Sequence, residues 1–472
     1  MSTAIVWFRQ DLRCKDNPAL AQACARHQYI IPLYIYSAKT PGTAQDWWLH
    51  HSLLALQNEL KKLDLDLCLR SGSAFAVLSQ LIQEHRIEAV YWNRCYEPAS
   101  IQRDKHIKKE LRTREIQVYS FNGSLLNEPW TVNNKSGDYF KVYTPYWKQS
   151  LQQITLPKEY CVQATAITPE FNSEKLSHWH LLPEKPNWAK GFSAYWEPGE
   201  QSALNKLSFF IEHHLHNYKE NRNEPSLEAT SRLSPHLHFG EISPFQIWRA
   251  IEEAKCHPNC DLPSAEHFIS ELGWREFSYY LLYHFPDLPD KNFRKEFDNF
   301  PWQKNEEQLK CWQKGLTGFP IVDAGMRELW HTGYMHNRVR MIAASFLIKD
   351  LLIDWRKGAS WFLETLLDAD LANNSASWQW VASSGVDPAP YFRIFNPILQ
   401  GEKFDPQGKY VKTWLPELSQ VPIQWLHKPW EAPAQQLPIT LGKEYPFPLV
   451  DHNLARTIAL QQYQMIKKQP HS

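Results

Sequence analysis

Residues 4–36 read AIVWFRQDLRCKDNPALAQACARHQYIIPLYIY, and this stretch decides the fold of the N-terminal part of the chain. It contains an apolar run (Ala4–Phe8), a helical pattern (Pro18–Arg26) and a second apolar run (Tyr29–Tyr36). Two apolar strands joined by a helical crossover predict a parallel sheet covered on both faces. Because no glycine precedes Gly42, the first strand-to-helix turn lacks the G-x-G-x-x-G loop of the usual nicotinamide dehydrogenases.

The same alternation continues to about residue 125. Further strands are predicted at Leu65–Arg70, Ala89–Trp92 and Ile116–Phe121, and further helices at Trp47–Lys62, Phe75–His85 and Ala99–Leu111. We therefore predict a Rossmann-like α/β domain with a parallel five-stranded sheet over residues 1–125. Ligands of such sheets usually lie at the carboxyl ends of the strands.

Residues 126–200 are rich in proline and show no sustained periodicity, which predicts an interdomain connector on the surface. From residue 201 to 472 the patterns are almost all helical, which predicts a large all-α domain. The predicted helices are Gln201–Asn217, Pro244–Glu253, Ala265–Leu282, Glu306–Gly315, Ile321–His331, Met335–Leu352, Trp355–Leu366 and Leu454–Lys467.

The composition excludes several classes of protein. Of the 472 residues, 43% are hydrophobic and 22% charged, which is typical of a folded chain and not of a disordered one. Lysine plus arginine and aspartate plus glutamate both number 51, so any contact with nucleic acid must come from a local basic patch. Tryptophan is unusually frequent, at 21 residues, which indicates flat ligands, a redox role for indole, or simply a tryptophan-rich core.

The sequence predicts no membrane span, no secretory signal and no metal site. No apolar run approaches 18 residues, and the eight cysteines are scattered, as expected for reduced thiols in a cytoplasm. The motif Cys256-His257-x-x-Cys260 resembles half a metal site, but no second pair stands at zinc-like spacing.

Two segments carry polar groups suited to a ligand. Residues 228–235, EATSRLSP, place hydroxyls and a guanidinium before a helical run, which is the chemistry of an anion site. Read alone, this segment favours helix capping without a ligand. In residues 271–277, ELGWREF, the side chains of Glu271, Trp274 and Arg275 share one helix face. That face suits a planar ligand with hydrogen-bonding edges, or it is an amphipathic face with a salt bridge.

A third group of polar residues lies within otherwise apolar helical sequence. Asn337, Arg340 and Met341 fall on nearly one face, and buried polar groups need partners or a ligand. The segment DADLANN, residues 368–374, supplies the acidic complement. We predict an Arg340–Asp368 ion pair, which either flanks a cofactor or is purely structural.

Trp378 and Trp380 are two residues apart, or about 200° around a helix, so the two indoles should face different surroundings. Both residues could equally be core fillers.

Taken together, these segments resemble the photolyase/cryptochrome family of flavoproteins, and the cyclobutane pyrimidine dimer (CPD) photolyases in particular. The motifs that carry the resemblance are WFRQDLR (7–13), TSRLS (230–234), ELGWREF (271–277), GFPIVDAGMR (318–327), GYMHNRVRM (333–341), DADLANN (368–374), WQW (378–380) and RIFNP (393–397). They follow the family's order over nearly the whole chain, and the match is weakest at about residues 125–200.

The resemblance implies an antenna-chromophore domain at residues 1–125 and a helical FAD-binding catalytic domain at 201–472. The implied FAD contacts are Tyr218, Thr230, Ser231, Arg232, Leu233, Ser234, Arg275, Asn337, Arg340, Asp368, Ala369, Asp370 and Asn374. The implied contacts to DNA and the lesion are Arg222, Glu271, Trp274, Arg275, Asn337, Arg338, Met341, Trp380 and Gln400. Glu271, Asn374 and Trp380 are the implied catalytic residues, and Trp302, Trp355 and Trp378 the implied electron relay.

What the resemblance implies for function is light-driven repair of UV-damaged DNA. The pyrimidine dimer is flipped out of the duplex and split by an electron from photoexcited reduced FAD. The protein is expected to be a monomer in the cytoplasm, with access to chromosomal DNA. The alternative is a cryptochrome, a blue-light receptor without repair. Asn374 and Trp380 favour repair, since plant receptors of the family typically carry aspartate at the position of Asn374.

The antenna chromophore is expected to be 5,10-methenyltetrahydrofolate, with 8-hydroxy-5-deazaflavin as the alternative. Tyr96 and Glu97 match the place where several relatives hold a folate, and Trp47 and Trp48 lie in a run, DWWLHHS (46–52), that resembles the relatives closest to plant cryptochromes.

Overall fold

The computed structural model describes residues 2–37, 42–134, 137–162, 166–387 and 392–468. It contains one five-stranded sheet, made of β1 (Thr3–Phe8), β2 (Tyr29–Tyr36), β3 (Cys68–Ser71), β4 (Ala89–Asn93) and β5 (Gln117–Phe121). The strands are all parallel in the order β3-β2-β1-β4-β5. The predicted parallel five-stranded sheet is therefore confirmed.

Four helices connect these strands: α1 (Pro18–Cys24), α2 (Ala44–Lys61), α3 (Ala74–His85) and α4 (Pro98–Thr113). The side chains of Ile5 and Trp7 are buried in one apolar cluster with those of α3 and α4. Their strand neighbours Ala4 and Val6 are fully buried as well, as alternation requires when both faces of a sheet are covered.

The turn after β1 is built without glycine. The side chain of Asn17 caps α1 by accepting a hydrogen bond from the Leu20 backbone N–H at 3.1 Å. Pro18 occupies the first helical position, where its missing N–H has no intrahelical partner to lose.

The rest of the chain is helical, and its helices are numbered in chain order. They are α5 (Tyr143–Gln153), α6 (Glu200–His213), α7 (Tyr218–Asn221), α8 (Ser234–His238), α9 (Pro244–Lys255), α10 (Leu262–His284), α11 (Glu306–Gln313), α12 (Pro320–Thr332), α13 (Asn337–Ser345), α14 (Trp355–Thr365), α15 (Leu371–Ala382), α16 (Pro397–Phe404), α17 (Lys409–Trp414), α18 (Ile423–Leu426) and α19 (His452–Lys468). A π-helical turn, Phe346–Asp350, follows α13. Short 3₁₀ helices lie at Pro129–Thr131, Leu176–Trp179, Phe192–Ala194, Lys295–Asn299, Pro416–Leu418, Pro429–Glu431 and Ala434–Gln436.

The chain forms two compact units, and each is made of two separate segments of the sequence. Their boundaries differ from the predicted domain boundaries at residues 125 and 200. Unit 1 comprises Met1–His216 and Ser231–Pro286, and unit 2 comprises Asn217–Thr230 and Asp287–Ser472. The region predicted as a connector contains the helix α5, and contacts of this helix explain the difference. Because α10 packs on both α5 and α9, the chain from residue 231 to 286 belongs to unit 1.

The structure corrects the predicted helix Met335–Leu352. The regular helix ends at Ser345, and the π-helical turn follows, with a hydrogen bond from the Leu351 backbone N–H to the Phe346 carbonyl at 3.0 Å. Hydrophobic periodicity does not reveal this change of winding.

The core of unit 2 encloses the Asp323 carboxylate, which accepts four hydrogen bonds. Asp323 on α12 accepts hydrogen bonds from the Thr317 backbone N–H at 2.7 Å, the Thr317 hydroxyl at 2.6 Å, the Gly318 N–H at 3.0 Å and the Tyr445 hydroxyl at 2.6 Å. Burial raises the pKa of Asp323, and these donors oppose that rise. The carboxylate thus ties both the turn just before α12 and the distant segment around Tyr445 to this helix.

We expect Asp323→Ala to lower the free energy of unfolding of unit 2 by about 3 kcal/mol, because a buried donor left without an acceptor costs ~1–3 kcal/mol. Urea unfolding followed by tryptophan fluorescence measures this change. Asp287→Ala is the matched control, since Asp287 is exposed and its ion pair with Lys291 contributes little. Equal midpoints for the two variants would contradict the importance of the Asp323 network.

Candidate functional site

An ion pair between α13 and the segment before α15 forms the polar centre of unit 2. The Arg340 Nη2 atom lies 2.9 Å from Asp368 Oδ2, and Arg340 Nε donates to the Met335 carbonyl at 2.7 Å. Burial disfavours the charge, but the Asp368 carboxylate holds the pKa of the Arg340 guanidinium above its ordinary value. The predicted Arg340–Asp368 pair is confirmed.

Asp370 and Asn374 are held at the start of α15. Asp370 caps this helix, and its Oδ1 accepts from the Asn373 backbone N–H at 2.8 Å and from the Asn373 side-chain amide at 2.9 Å. The Asn374 side-chain NH₂ donates to the Ala359 carbonyl on α14 at 3.1 Å. Its amide oxygen is therefore directed away from that carbonyl, as an acceptor.

The first turn of α13 carries the predicted residues Asn337, Arg338 and Met341. Asn337 is exposed and Met341 is half-buried. The Arg338 guanidinium lies over the Phe404 ring, 4.5 Å from its centroid, and Nη2 donates to Asn223 Oδ1 at 2.6 Å. Arg338 is therefore fixed in one orientation although its side chain remains partly accessible.

Arginines gather around this guanidinium. Burial and the charges of Arg222 and Arg393 lower the pKa of Arg338. Next to it, burial and the charges of Arg222 and Arg340 lower the pKa of His336 to about 3, so its imidazole is neutral at physiological pH. Arg222 also lies over the ring of the buried Tyr218, 5.5 Å from its centroid. The result is a basic cluster made of Arg222, Arg338 and Arg393.

Of the three predicted relay tryptophans, one is partly accessible and two are buried in the core of unit 2. Trp302 is half-buried against Phe300, with ring centroids 4.3 Å apart, whereas Trp355 and Trp378 are buried. Trp355 donates its indole N–H to Asn292 Oδ1 at 2.9 Å. The Trp378 ring packs against Gly358, where an added Cβ would lie 2.1 Å from its Cη2 atom.

Trp378 and Trp380 do face different surroundings, as predicted. Trp378 lies inside the core cluster, and Trp380 is a partly buried residue at the margin of that cluster.

Gln400, a predicted DNA contact, is half-buried on α16. This helix is capped by Asn396, which accepts hydrogen bonds from the backbone N–H groups of Ile398 and Leu399.

In unit 1, α10 presents the predicted residues Glu271, Trp274 and Arg275. The Trp274 side chain is unusually accessible for an indole, at 39%. Glu271 lies one turn from His267, with Glu271 Oε1 3.9 Å from His267 Nε2. The Arg275 side chain points inward, and its Nη1 donates to the Ser124 carbonyl at 2.8 Å. Arg275 therefore holds the backbone at Ser124 in place in addition to providing a positive charge.

The predicted anion segment is divided between the units after Thr230. In unit 1, Arg232 adopts a left-handed backbone conformation (φ 50°) and its guanidinium lies 6.0 Å from the Trp196 ring centroid. The Ser231 hydroxyl accepts from the Leu233 N–H at 3.4 Å, just before the short helix α8 that begins at Ser234. Ala369 in unit 2 is buried.

The residues predicted to contact an antenna are mostly buried. Trp48 donates to Glu241 Oε1 at 3.0 Å and stacks on Phe239, so it is a core residue of unit 1. Trp47 and Tyr96 are buried too, with the Tyr96 hydroxyl donating to Glu128 Oε2 at 2.8 Å. Glu97 is half-buried at the start of α4.

Sequence reasoning missed several residues next to these sites. Trp312 is fully buried beside Trp378, with ring centroids 6.3 Å apart, and nothing in its local pattern distinguishes it from other core tryptophans. His336 lies in the motif GYMHNRVRM and Arg393 in the motif RIFNP. Both motifs are part of the family resemblance, so membership in them could have marked these two residues as candidates. Asn223 lies next to the predicted Arg222.

Among the residues that the structure describes, no helix is long and apolar enough to cross a membrane. In the part of the chain that the structure describes, no three histidine, cysteine, aspartate or glutamate side chains are grouped so that they could hold a metal ion.

Comparison with known proteins covers nearly the whole chain. Residues 4–165 match the family described as DNA photolyase, and residues 268–465 match the FAD binding domain of DNA photolyase. The chain is 51% identical to a deoxyribodipyrimidine photo-lyase of Agrobacterium fabrum over 98% of both chains. It is 38% identical to cryptochrome-2 of Arabidopsis thaliana, over 96% of this chain and 77% of that protein. A crystal structure of a class III photolyase from Agrobacterium tumefaciens superposes with a TM-score of 0.96 at 50% identity, covering 99% of this chain and 98% of that one.

Proposed function

The chain belongs to the photolyase/cryptochrome family, and we propose that it is a deoxyribodipyrimidine photo-lyase, a light-driven enzyme that splits cyclobutane pyrimidine dimers in DNA. The observation that carries the proposal is the neutral amide of Asn374, held by the Ala359 carbonyl one helical turn after Asp370. The Asn374 amide carries no charge, so it does not repel a flavin that acts in its reduced, anionic form.

The donors and acceptors of unit 2 fit the polar edge of a flavin. The isoalloxazine edge alternates N–H and carbonyl groups, and Arg340, Asp368, Asp370 and Asn374 offer a guanidinium, two carboxylates and an amide. When bound and fully reduced, FAD supplies the electron that light drives into the dimer and takes it back after the ring is split. The protein residues orient the cofactor and set the charge around it.

The basic cluster of Arg222, Arg338 and Arg393 is assigned to the DNA phosphates. Phosphate contacts position a protein on the duplex without reading its sequence, and their strength falls as salt rises. The net charge of the chain is zero, so this local cluster must supply the attraction. Gln400 and Arg275 are assigned to further contacts with DNA.

Recognition of the lesion is assigned to the side chains of five residues: Glu271, Trp274, Asn337, Met341 and Trp380. Photolyases flip the damaged nucleotides out of the duplex, and a poorly stacked lesion costs less to extrude. An aromatic ring stabilises an extruded base by ~1–3 kcal/mol through stacking. Glu271 is proposed to hydrogen-bond the dimer while it carries the transferred electron.

Trp378, Trp355 and Trp302 are proposed to carry electrons from the protein surface to oxidised flavin. Trp302 is half-buried, whereas Trp355 and Trp378 are buried, which supports Trp302 as the end of the relay nearest the protein surface. Such a relay refills the cofactor with electrons and is not needed for repair once the flavin is reduced.

We further propose an antenna chromophore, 5,10-methenyltetrahydrofolate or alternatively 8-hydroxy-5-deazaflavin. Because Trp47, Trp48 and Tyr96 are buried, Glu97 is the accessible member of the predicted antenna set. We also propose that the protein acts as a monomer in the cytoplasm on UV-damaged chromosomal DNA.

A cryptochrome function is the second candidate, and the similarity to cryptochrome-2 favours it. Asn374 distinguishes the two, since a carboxylate at this position would repel an anionic flavin or, if protonated, give it a proton. The decisive experiment records the absorption spectrum of the purified protein and then tests reversal of dimers in DNA under blue light. A bound flavin without reversal would identify a receptor.

Trp380→Ala should weaken binding to dimer-containing DNA by about tenfold to a hundredfold, the range expected for losing one base-stacking ring. The FAD content should stay unchanged. Filter binding or fluorescence anisotropy measures the affinity, and the absorption spectrum measures FAD. Trp330→Ala is a matched control, because Trp330 is an indole that is 46% exposed and is not among the residues proposed to contact FAD or DNA. An unchanged affinity for Trp380→Ala would place the lesion contacts elsewhere.

Trp302→Phe should abolish most photoreduction of oxidised FAD while repair by chemically reduced enzyme persists, because phenylalanine is far harder to oxidise than indole but similar in shape. Absorbance during illumination gives the first rate, and dimer reversal gives the second. Trp425→Phe serves as the control, since Trp425 is another partly buried indole of the same unit. Parallel loss of both activities in Trp302→Phe would make Trp302 a structural residue.

Asn374→Asp should change the visible spectrum of the bound flavin under blue light and depress repair, with the fold intact. The substitution removes the NH₂ donor to the Ala359 carbonyl, so the new side chain must be either protonated or repelled by that carbonyl. Asn453→Asp introduces the same charge on an exposed part of α19 and should change neither property. A wild-type spectrum with full repair would remove the main residue-level reason for assigning repair.

A further inference from the structure

Three aromatic rings form a parallel stack in unit 1, and Trp274 is its outermost member. The Tyr143 ring lies against one face of the Trp274 indole, with centroids 3.7 Å apart and planes inclined by 10°. Trp147 continues the series, nearly parallel to Tyr143 at 13° with centroids 6.4 Å apart. Trp274 is 39% accessible, whereas Tyr143 and Trp147 are buried. Only the outermost ring therefore offers a face to another molecule.

The stack depends on a close approach of α5 to α10 at Gly273. Tyr143 and Trp147 are separated by four residues and lie on the same face of α5. A Cβ atom at Gly273 would lie 2.6 Å from the Tyr143 hydroxyl oxygen and 2.7 Å from the Trp147 ring. Glycine is therefore required at this position if both rings are to lie against α10.

The hydroxyl of Tyr143 fixes the middle ring from its other end. It donates to the Ser270 carbonyl at 2.7 Å and lies 3.0 Å from the Ser270 hydroxyl. Burial, with the nearby Glu271 carboxylate as a second cause, raises the pKa of Tyr143, so the phenol stays protonated and remains a donor. The same side chain thus adjoins both Trp274 and Glu271.

We propose that Tyr143 is a positioning residue that holds Trp274 ready to stack on an unpaired pyrimidine. This inference rests on the proposed function, in which Trp274 contacts the flipped dimer. An accessible indole without support on its inner face samples several rotamers, and ordering it on binding costs free energy. With Tyr143 covering the inner face, the outer face is presented in a single orientation before the DNA arrives.

This role has a consequence for selectivity. Stacking acts on the extruded lesion, whereas phosphate contacts act on damaged and undamaged DNA alike. Loss of Tyr143 should therefore reduce the preference for damaged DNA and leave the affinity for undamaged DNA unchanged. A purely structural role would lower both affinities together.

The experiment measures both affinities by anisotropy with holoenzyme carrying FAD, using one duplex with a single cyclobutane dimer and the same duplex without it. Tyr143→Leu should weaken binding to the damaged duplex by about tenfold, the size of one lost aromatic pair contact. Tyr143→Phe, which keeps the ring, should stay within about twofold of wild type, as expected if the ring contact dominates. Tyr139→Leu is the matched control, since Tyr139 also stacks on a ring of α10, His284 at 4.0 Å, away from Trp274.

A double-mutant comparison tests whether Tyr143 acts through Trp274. In a Trp274→Leu background, Tyr143→Leu should have no additional effect on either affinity. A further tenfold loss in that background, or an unchanged preference for damaged DNA in the single variant, would overturn the inference.

Gly273→Ala tests the same stack without removing an aromatic ring, and alanine favours the helix. Its methyl group would displace Tyr143 and Trp147, so it should also reduce the preference for damaged DNA. If Tyr143→Leu failed to fold, this variant would decide the question, and a wild-type preference in Gly273→Ala would overturn the inference. Failure of the proposed function is distinguishable, because wild-type protein itself would then show no preference for the damaged duplex.

Discussion

The ion pair between Arg340 and Asp368 is the interaction on which the polar interior of unit 2 depends. A guanidinium in a helical core is tolerated only if a carboxylate and a carbonyl satisfy it, and here Asp368 and the Met335 carbonyl do so. Breaking such a pair costs far more than the pair contributes, because one charge is left buried. The segment before α15 is thereby held to α13, which fixes the position of Asp370 at the start of α15 and of Asn374 in its first turn.

Close packing around two glycines decides where the aromatic rings lie. Gly358 admits the Trp378 ring to the surface of α14, and Gly273 admits Tyr143 to the surface of α10. In both places any larger residue would force the ring away, and interiors packed to crystal density do not absorb such a shift cheaply. The high tryptophan content therefore reflects specific ring positions in addition to a filled core.

The sequence predicted much of this architecture because its strongest patterns arise from burial. Strands covered on both faces appear as apolar runs, and the Arg340–Asp368 pair followed from the need of buried charges for partners. The helix α5 was missed because prolines mark its region as a connector. Pro145 is its third residue, where the first helical turn needs no intrahelical N–H donor, so proline is no obstacle there. Contacts between residues as distant as Tyr143 and Trp274 leave no local pattern.

The balance of charge explains how a neutral protein could select a rare lesion. A strongly basic chain would bind any duplex through its overall field, and the lesion would compete with a vast excess of undamaged DNA. Here Arg222, Arg338 and Arg393 form a local basic cluster on a chain of zero net charge, and the neutral His336 lies among these groups without adding to their repulsion. With phosphate attraction limited in this way, a larger share of the binding free energy must come from contacts that only an extruded base can make. In the proposed function, discrimination then depends on accessible, well-supported rings such as Trp274, and not on the total charge of the protein.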